Sequence, residues 1–183
     1  MIPASATRVF KGTIFDVYQW EQELFDGSRA TFEMLKRPDT VQVIAVVGDC
    51  ILVLDQEQPG SKPFVCLPGG RVDEEEDVLE AAKRELREET GYASDDWVLH
   101  RSVQPMNKIA WLSHTFIARN ARRAAEPHPD AGERIRARLV TFEEFLQLPD
   151  DPAFRRHQDL QVELLRARYE KEAREALRTV LFG

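Results

Sequence analysis

The chain's 183 residues carry 32 acidic against 25 basic side chains, a formal net charge of −7. That length fits one domain with a sizeable core, and that charge excludes a broad basic footprint for nucleic acid, though not a local site for a nucleotide. The two cysteines, Cys50 and Cys66, lie in apolar runs and read as reduced core residues. No stretch is long or apolar enough to span a membrane, and no signal-like apolar run opens the chain, so a cytoplasmic protein is expected.

In chain order, residues 8–37 alternate as strands. FKGTIFDVYQWEQELF meets RATFEMLKR across Asp26-Gly27-Ser28, a strong hairpin signal, and Pro38 closes the segment. Residues 41–48 and 50–55 are near-continuous apolar runs, expected of strands covered on both faces. Residues 58–63 form a Pro- and Gly-rich loop, and PFVCLPGG then leads into an acidic segment. Residues 97–104, 109–120 and 135–142 read as further strands, with a polar loop with prolines over 121–133. Thr141 and Glu144 have the spacing of a capping box for a short helix through Leu148, broken by Pro149-Asp150-Asp151-Pro152. One amphipathic helix is expected over 159–181.

The acidic segment holds the chemistry. Asp73 and Glu76 have capping-box spacing, and Gly91 stands where a left-handed helix terminator belongs, so a helix is expected from about Asp77 to Thr90. At about 100° per residue, Val78, Leu79, Ala82 and Leu86 share one face, and Glu80, Lys83 and Arg87 point to water. Glu85 and Glu89 are neighbours on or beside the apolar face, with Glu88 at its edge. Carboxylates crowded at such a border are costly unless a cation joins them, and Mg²⁺ prefers oxygen ligands. A solvated helix with internal ion pairs would explain neither that placement nor the flanking glycines.

The segment resembles the Nudix box: Gly70, five residues, Glu76, seven residues, Arg84-Glu85-Leu86, one residue, Glu88-Glu89, one residue, Gly91, then an apolar position filled by Tyr92. Every prescribed position matches, Tyr92 most loosely, since the family more often has an aliphatic residue there. The resemblance covers roughly residues 40–148. It implies an α/β fold, a Nudix-type α/β/α sandwich around a mixed sheet, preceded by an N-terminal β-hairpin and followed by a C-terminal helix. The expected division is an N-terminal hairpin subdomain over 1–39 and a catalytic domain over 40–183. The hairpin and the Gln-rich turn before the box are similar to the ADP-ribose and nucleoside-diphosphate-sugar pyrophosphatases. In that subgroup the N-terminal strands pack between subunits, so a homodimer is expected.

The resemblance assigns Glu85 and Glu89 as the main Mg²⁺ ligands, with Mn²⁺ as a substitute. Glu88 is implied as a further ligand or proton acceptor, and the Gly69 carbonyl as another ligand. Arg84 is implied to orient the glutamates, while Gly70 and Glu76 shape the loop. For the general base, relatives use a glutamate from a late loop. Glu126, Asp130 and Glu133 lie in the matching loop here, with Glu133 preferred and Glu88 the alternative. Arg37 is a candidate for a phosphate, Phe15, Tyr18 and Trp20 for a nucleobase, and Trp111 or His114 for the pocket wall, although His114 reads first as structural.

Three departures bear on the substrate, the first being Gly69 in Leu67-Pro68-Gly69-Gly70, where the subgroup often has alanine before the final glycine. The subgroup's Gln-aromatic-Arg is Gln56-Glu57-Gln58 here, and its Ser-Pro-Gly turn is reduced to Pro105 within Gln104–Lys108. The reading is a Mg²⁺-dependent hydrolase cleaving the pyrophosphate bond of a nucleoside diphosphate linked to another moiety, of the ADP-ribose or nucleoside-diphosphate-sugar type. The alternatives are a nucleoside triphosphate pyrophosphohydrolase and a binding module, which would be expected to have lost box glutamates.

Overall fold

The computed structural model describes residues 2–154 and 158–183. The N-terminal strands are β1 (Thr7–Lys11), β2 (Asp16–Glu23) and β3 (Arg29–Lys36). Then come β4 (Thr40–Val47), β5 (Cys50–Glu57), β6 (Phe64–Cys66) and helix α1 (Val78–Thr90). After it follow β7 (Tyr92–Ala93), β8 (Asp96–Val103), β9 (Ile109–Ala110), β10 (Ser113–Arg119), β11 (Arg122–Arg123) and β12 (Arg134–Thr141). The chain ends in helices α2 (Phe142–Gln147), α3 (Gln158–Tyr169) and α4 (Lys171–Phe182), with a 3₁₀ turn over Leu148–Asp150.

The central sheet has the order β12-β5-β4-β10-β8, with β6 also on β5. It is mixed: β4 and β10 run parallel and their other neighbours antiparallel. Its strands divide their side chains between two cores, as period-two alternation requires. Val41, Val43, Leu52, Leu54, Phe116 and Ala118 face α1 with Ala81, Ala82 and Leu86. Ile44, Val46, Ile51, Val53 and Ile117 face the C-terminal helices with Phe145, Leu164 and Leu181. This double coverage is why β4 is apolar over Val43–Val47 and β5 over Cys50–Leu54. The fold is thus the α/β/α layering expected.

Four expectations change. The first N-terminal strand is broken at residues 12–15, where Gly12 N–H donates to the Phe15 carbonyl at 3.0 Å, so β1, β2 and β3 form a meander rather than a two-stranded hairpin. The strand expected over 109–120 is divided at Trp111-Leu112: β9 joins the N-terminal sheet beside β3, and β10 enters the central sheet beside β4. The capping box at Asp73 and Glu76 closes only a local turn; the cap of α1 is Asp77, whose carboxylate accepts from the N–H groups of Leu79 and Glu80. Finally, the helix over 159–181 is two helices, broken at Glu170, whose backbone is extended (φ −110°, ψ 117°). A straight helix of that length would run roughly 35 Å. The break folds α4 back along α3, so that Leu160, Leu164 and Ala167 enter the same core as Leu177 and Leu181. The Thr141–Glu144 capping box forms as expected.

Candidate active site

Helix α1 starts firmly on its Asp77 cap and ends at Gly91 in the left-handed conformation (φ 72°). Between those ends Ala81, Ala82 and Leu86 are buried against the sheet, which fixes the helix's rotation. That rotation carries Glu89 inward until it is only 6% exposed, leaves Glu85 half-buried and puts Glu88 at the surface. The segment before the helix is tied to β4, with Val41 N–H on the Gly70 carbonyl at 2.9 Å and Val43 N–H on the Pro68 carbonyl at 2.8 Å.

Close approach to backbone demands glycine at position 69, and at position 70 a side chain would displace the Glu85 carboxylate from its present place. A Cβ on Gly69 would stand 2.2 Å from the Val41 carbonyl oxygen, and one on Gly70 would stand 2.3 Å from Oε1 of Glu85. Gly69 N–H donates to Oε2 of Glu89 at 2.8 Å. The carboxylates are thus packed directly onto backbone that carries no side chain.

Arg84 organises the outer half of this cluster. Its Nε and one terminal nitrogen donate to the two oxygens of Glu76 at 2.9 and 3.0 Å. The other terminal nitrogen reaches Oε1 of Glu85 at 2.8 Å and Oε2 of Glu88 at 3.2 Å. A bond to the Arg71 carbonyl at 3.0 Å fixes the guanidinium to the preceding loop. Glu76, read from sequence as shaping the helix start, is therefore the bidentate partner of Arg84. A spacing of eight residues gave no helical-neighbour signal for that pair.

Burial dominates the electrostatics. Desolvation pushes the Glu89 carboxyl up to about 9, against the lowering from Gly69 N–H, and Glu85, Glu133 and Glu88 push the same way. Glu85 is also raised, because its desolvation outweighs the pull of Arg84. Glu133 raises both, so the loop glutamate sits within the field of the helix pair.

The loop that delivers Glu133 is anchored on the C-terminal end of α1. Ala124 and Ala125 N–H groups donate to the Gly91 carbonyl at 2.8 and 3.0 Å, and His128 N–H to the Glu88 carbonyl at 2.7 Å. These bonds satisfy carbonyls that a helix end leaves open. The short β11 pairs with β7 just inside the same loop. Glu126, by contrast, pairs with Arg123 at the exposed surface.

Arg37 and Trp111 come together next to the box. The Arg37 guanidinium lies 4.6 Å from the Trp111 ring centroid and 5.7 Å from that of Phe15. Trp111 Nε1 donates to Thr40 Oγ1 at 3.0 Å, and Thr40 bridges to Arg71, the residue whose carbonyl holds Arg84. Tyr18 and Trp20 are not brought to this cluster: they lie on β2, two strands from β9, and Trp20 packs on Phe32. His114 is buried, with Nδ1 2.8 Å from Ser102 Oγ, which suits a structural role.

As the side chains stand, no three or more His, Cys, Asp or Glu among the described residues are grouped to hold a metal ion. The donor set still fits a hard divalent cation: carboxylate oxygens of Glu85 and Glu89 and a bare backbone at Gly69, with no nitrogen or sulfur ligand. A cavity of about 580 Å³ lies elsewhere, among His100, Arg101, Glu163, Arg166 and Leu177. There Glu163 is already held by His100 and Arg101.

The NUDIX domain description matches residues 36–160. The ADP-ribose pyrophosphatase of Bacillus subtilis (strain 168) is 30% identical over 145 residues, 77% of this chain and 78% of that protein. The methanol dehydrogenase activator of Bacillus methanolicus is 26% identical over 76% of this chain and 78% of its own length. The ADP compounds hydrolase NudE of Escherichia coli (strain K12) is 28% identical over 48% of this chain and 49% of its own. A crystal structure of an ADP compounds hydrolase superposes with a TM-score of 0.74, covering 92% of this chain and 94% of that one; at 20% identity it speaks to the fold alone.

Proposed function

The chain belongs to the Nudix family, and from that premise we propose that it hydrolyses the pyrophosphate bond of an ADP compound, ADP-ribose or a nucleoside-diphosphate sugar, using Mg²⁺ or Mn²⁺. It is a phosphoanhydride hydrolase. What supports the reading is the packing of Glu85 and Glu89 against the side-chain-free backbone of Gly69 and Gly70, with Gly69 N–H on Oε2 of Glu89 at 2.8 Å; Glu133 acts on both carboxyls from the loop.

Glu85, Glu89 and the Gly69 carbonyl would hold the ion, with Glu88 as a further ligand. A divalent ion bound there supplies charge neutralisation on the phosphate oxygens and lowers the pKa of water. Arg84 orients Glu85 and Glu88 through the bonds described and does no chemistry itself. Glu133 takes the proton of the attacking water as its oxygen bonds to phosphorus. The bridging P–O bond breaks on the opposite side, and two phosphomonoesters leave. Glu88 suits the base role less, because its side chain is 50% exposed and already ion-paired with Arg84. Arg37, fixed on the Trp111 ring, is the phosphate contact, and Trp111 walls the site. Tyr18 and Trp20 enter this reading only through the homodimer that the N-terminal sheet is proposed to form.

Glu89→Gln tests the assignment. Turnover of ADP-ribose with Mg²⁺ should fall by more than the ~10–100-fold that loss of an outer-shell partner costs, with an unchanged circular dichroism spectrum. A near-wild-type rate would remove Glu89 from the site.

A further inference from the structure

We infer that Gln58 is the positioning residue of Glu133; this rests on the reading above in which Glu133 receives the proton. Strands β5 and β12 are antiparallel, and their register begins with Glu57 opposite Arg134. One step beyond the ladder, Gln58 stands opposite Glu133. Nε2 of Gln58 donates to Oε1 of Glu133 at 2.7 Å in a part-buried setting. An ionised carboxylate only accepts, so the amide nitrogen is the partner it requires. Alternation places the pair on the α1 side of the sheet, since Leu54 on β5 and Ile135 on β12 both face that core.

The loop backbone is already fixed at both ends. Ala124, Ala125 and His128 bond to the end of α1, and Glu133 N–H donates to the Asp130 carbonyl at 2.9 Å. What those bonds leave free is the rotation of the Glu133 side chain, and Gln58 fixes that. The chemistry of the donor matters. An arginine here would bind a carboxylate through two parallel bonds and add a positive charge, as Arg84 does to Glu76. A neutral amide holds one oxygen and leaves the other able to accept from water. Gln58, one of the departures from the subgroup's Gln-aromatic-Arg, thus becomes a working part of the site.

A double-mutant cycle on kcat and KM, with Mg²⁺ and the best-cleaved ADP compound, tests this. Glu133→Gln should lower kcat by ~10²–10⁴-fold, the range for a general base. Gln58→Met, similar in volume but without the donor, should lower kcat by ~10–100-fold while KM stays within about twofold. In the Glu133→Gln background, Gln58→Met should cost nothing further, because the residue acts through the group already lost. An equal loss in both backgrounds overturns the inference, as does wild-type kcat for Gln58→Met beside an impaired Glu133→Gln. Wild-type kcat for Glu133→Gln would instead overturn the base assignment, and the inference with it. Should Gln58→Met not fold, Gln58→Asn, one methylene too short to reach, carries the same comparison.

Discussion

Glu89 keeps its proton to about 9 in the folded chain, whereas the same carboxyl titrates near 4.5 when solvated. Between those values the folded state holds a proton that the unfolded state has lost. Stability from this group is therefore fully present below about pH 4.5 and is lost as pH rises toward 9. Glu85, raised for the same reason, adds a loss of the same sign. In EDTA, the Tm of the wild-type protein should fall from pH 5 to pH 9, and Glu89→Gln should flatten that fall. Parallel slopes for the two proteins would contradict the burial argument. At this scale much of the site was legible: the helical projection put Glu85 and Glu89 toward the apolar side and Glu88 at its edge, as found. The Arg84–Glu76 and Gln58–Glu133 pairs were not. The first spans a turn and a helix start, and the second depends on a strand register that no local periodicity carries.

At the scale of elements, α3 and α4 show what a helical pattern does and does not encode. The leucines of 159–181 marked the apolar faces well, but Glu170 is an ordinary helix former and its sequence gives no stop signal. The break comes from tertiary packing, which seats both segments in one core, and from α3's tie to β8 through Glu163, with Arg101 at 2.8 Å. Leu164→Ala should then cost ~2–5 kcal/mol, as truncation of a fully buried leucine does, while Val162→Ala, at a position 59% exposed, should stay within about 0.5 kcal/mol. Urea unfolding midpoints measure both; similar values would mean that α3 is not docked as described. The division of residues 109–120 between two sheets escaped the sequence for a related reason. Trp111 and Leu112 are apolar enough to continue a strand, and the turn there is imposed by two sheets competing for its ends.

For the whole molecule, the order of strands and helices was enough to place the chain in an α/β/α sandwich, because apolar strands without alternation demand cover on both faces. What the order left open is how the N-terminal sheet is covered. Val9, Phe10 and Phe25 of this sheet and its turn are exposed in the single chain. In the proposed homodimer such side chains are expected at the interface, where sedimentation should give twice the 21.1 kDa of one chain and Phe10→Asp should shift it toward the monomer. A wild-type protein sedimenting as a monomer at micromolar concentration would contradict the dimer. The central claim is the reaction itself, and ³¹P NMR tests it most directly. The protein with Mg²⁺ and, in turn, ADP-ribose, a nucleoside-diphosphate sugar and a nucleoside triphosphate should replace the diphosphate resonances of an ADP compound with those of two phosphomonoesters. Release of pyrophosphate from the triphosphate alone, or no new resonance from any of the three, would contradict it.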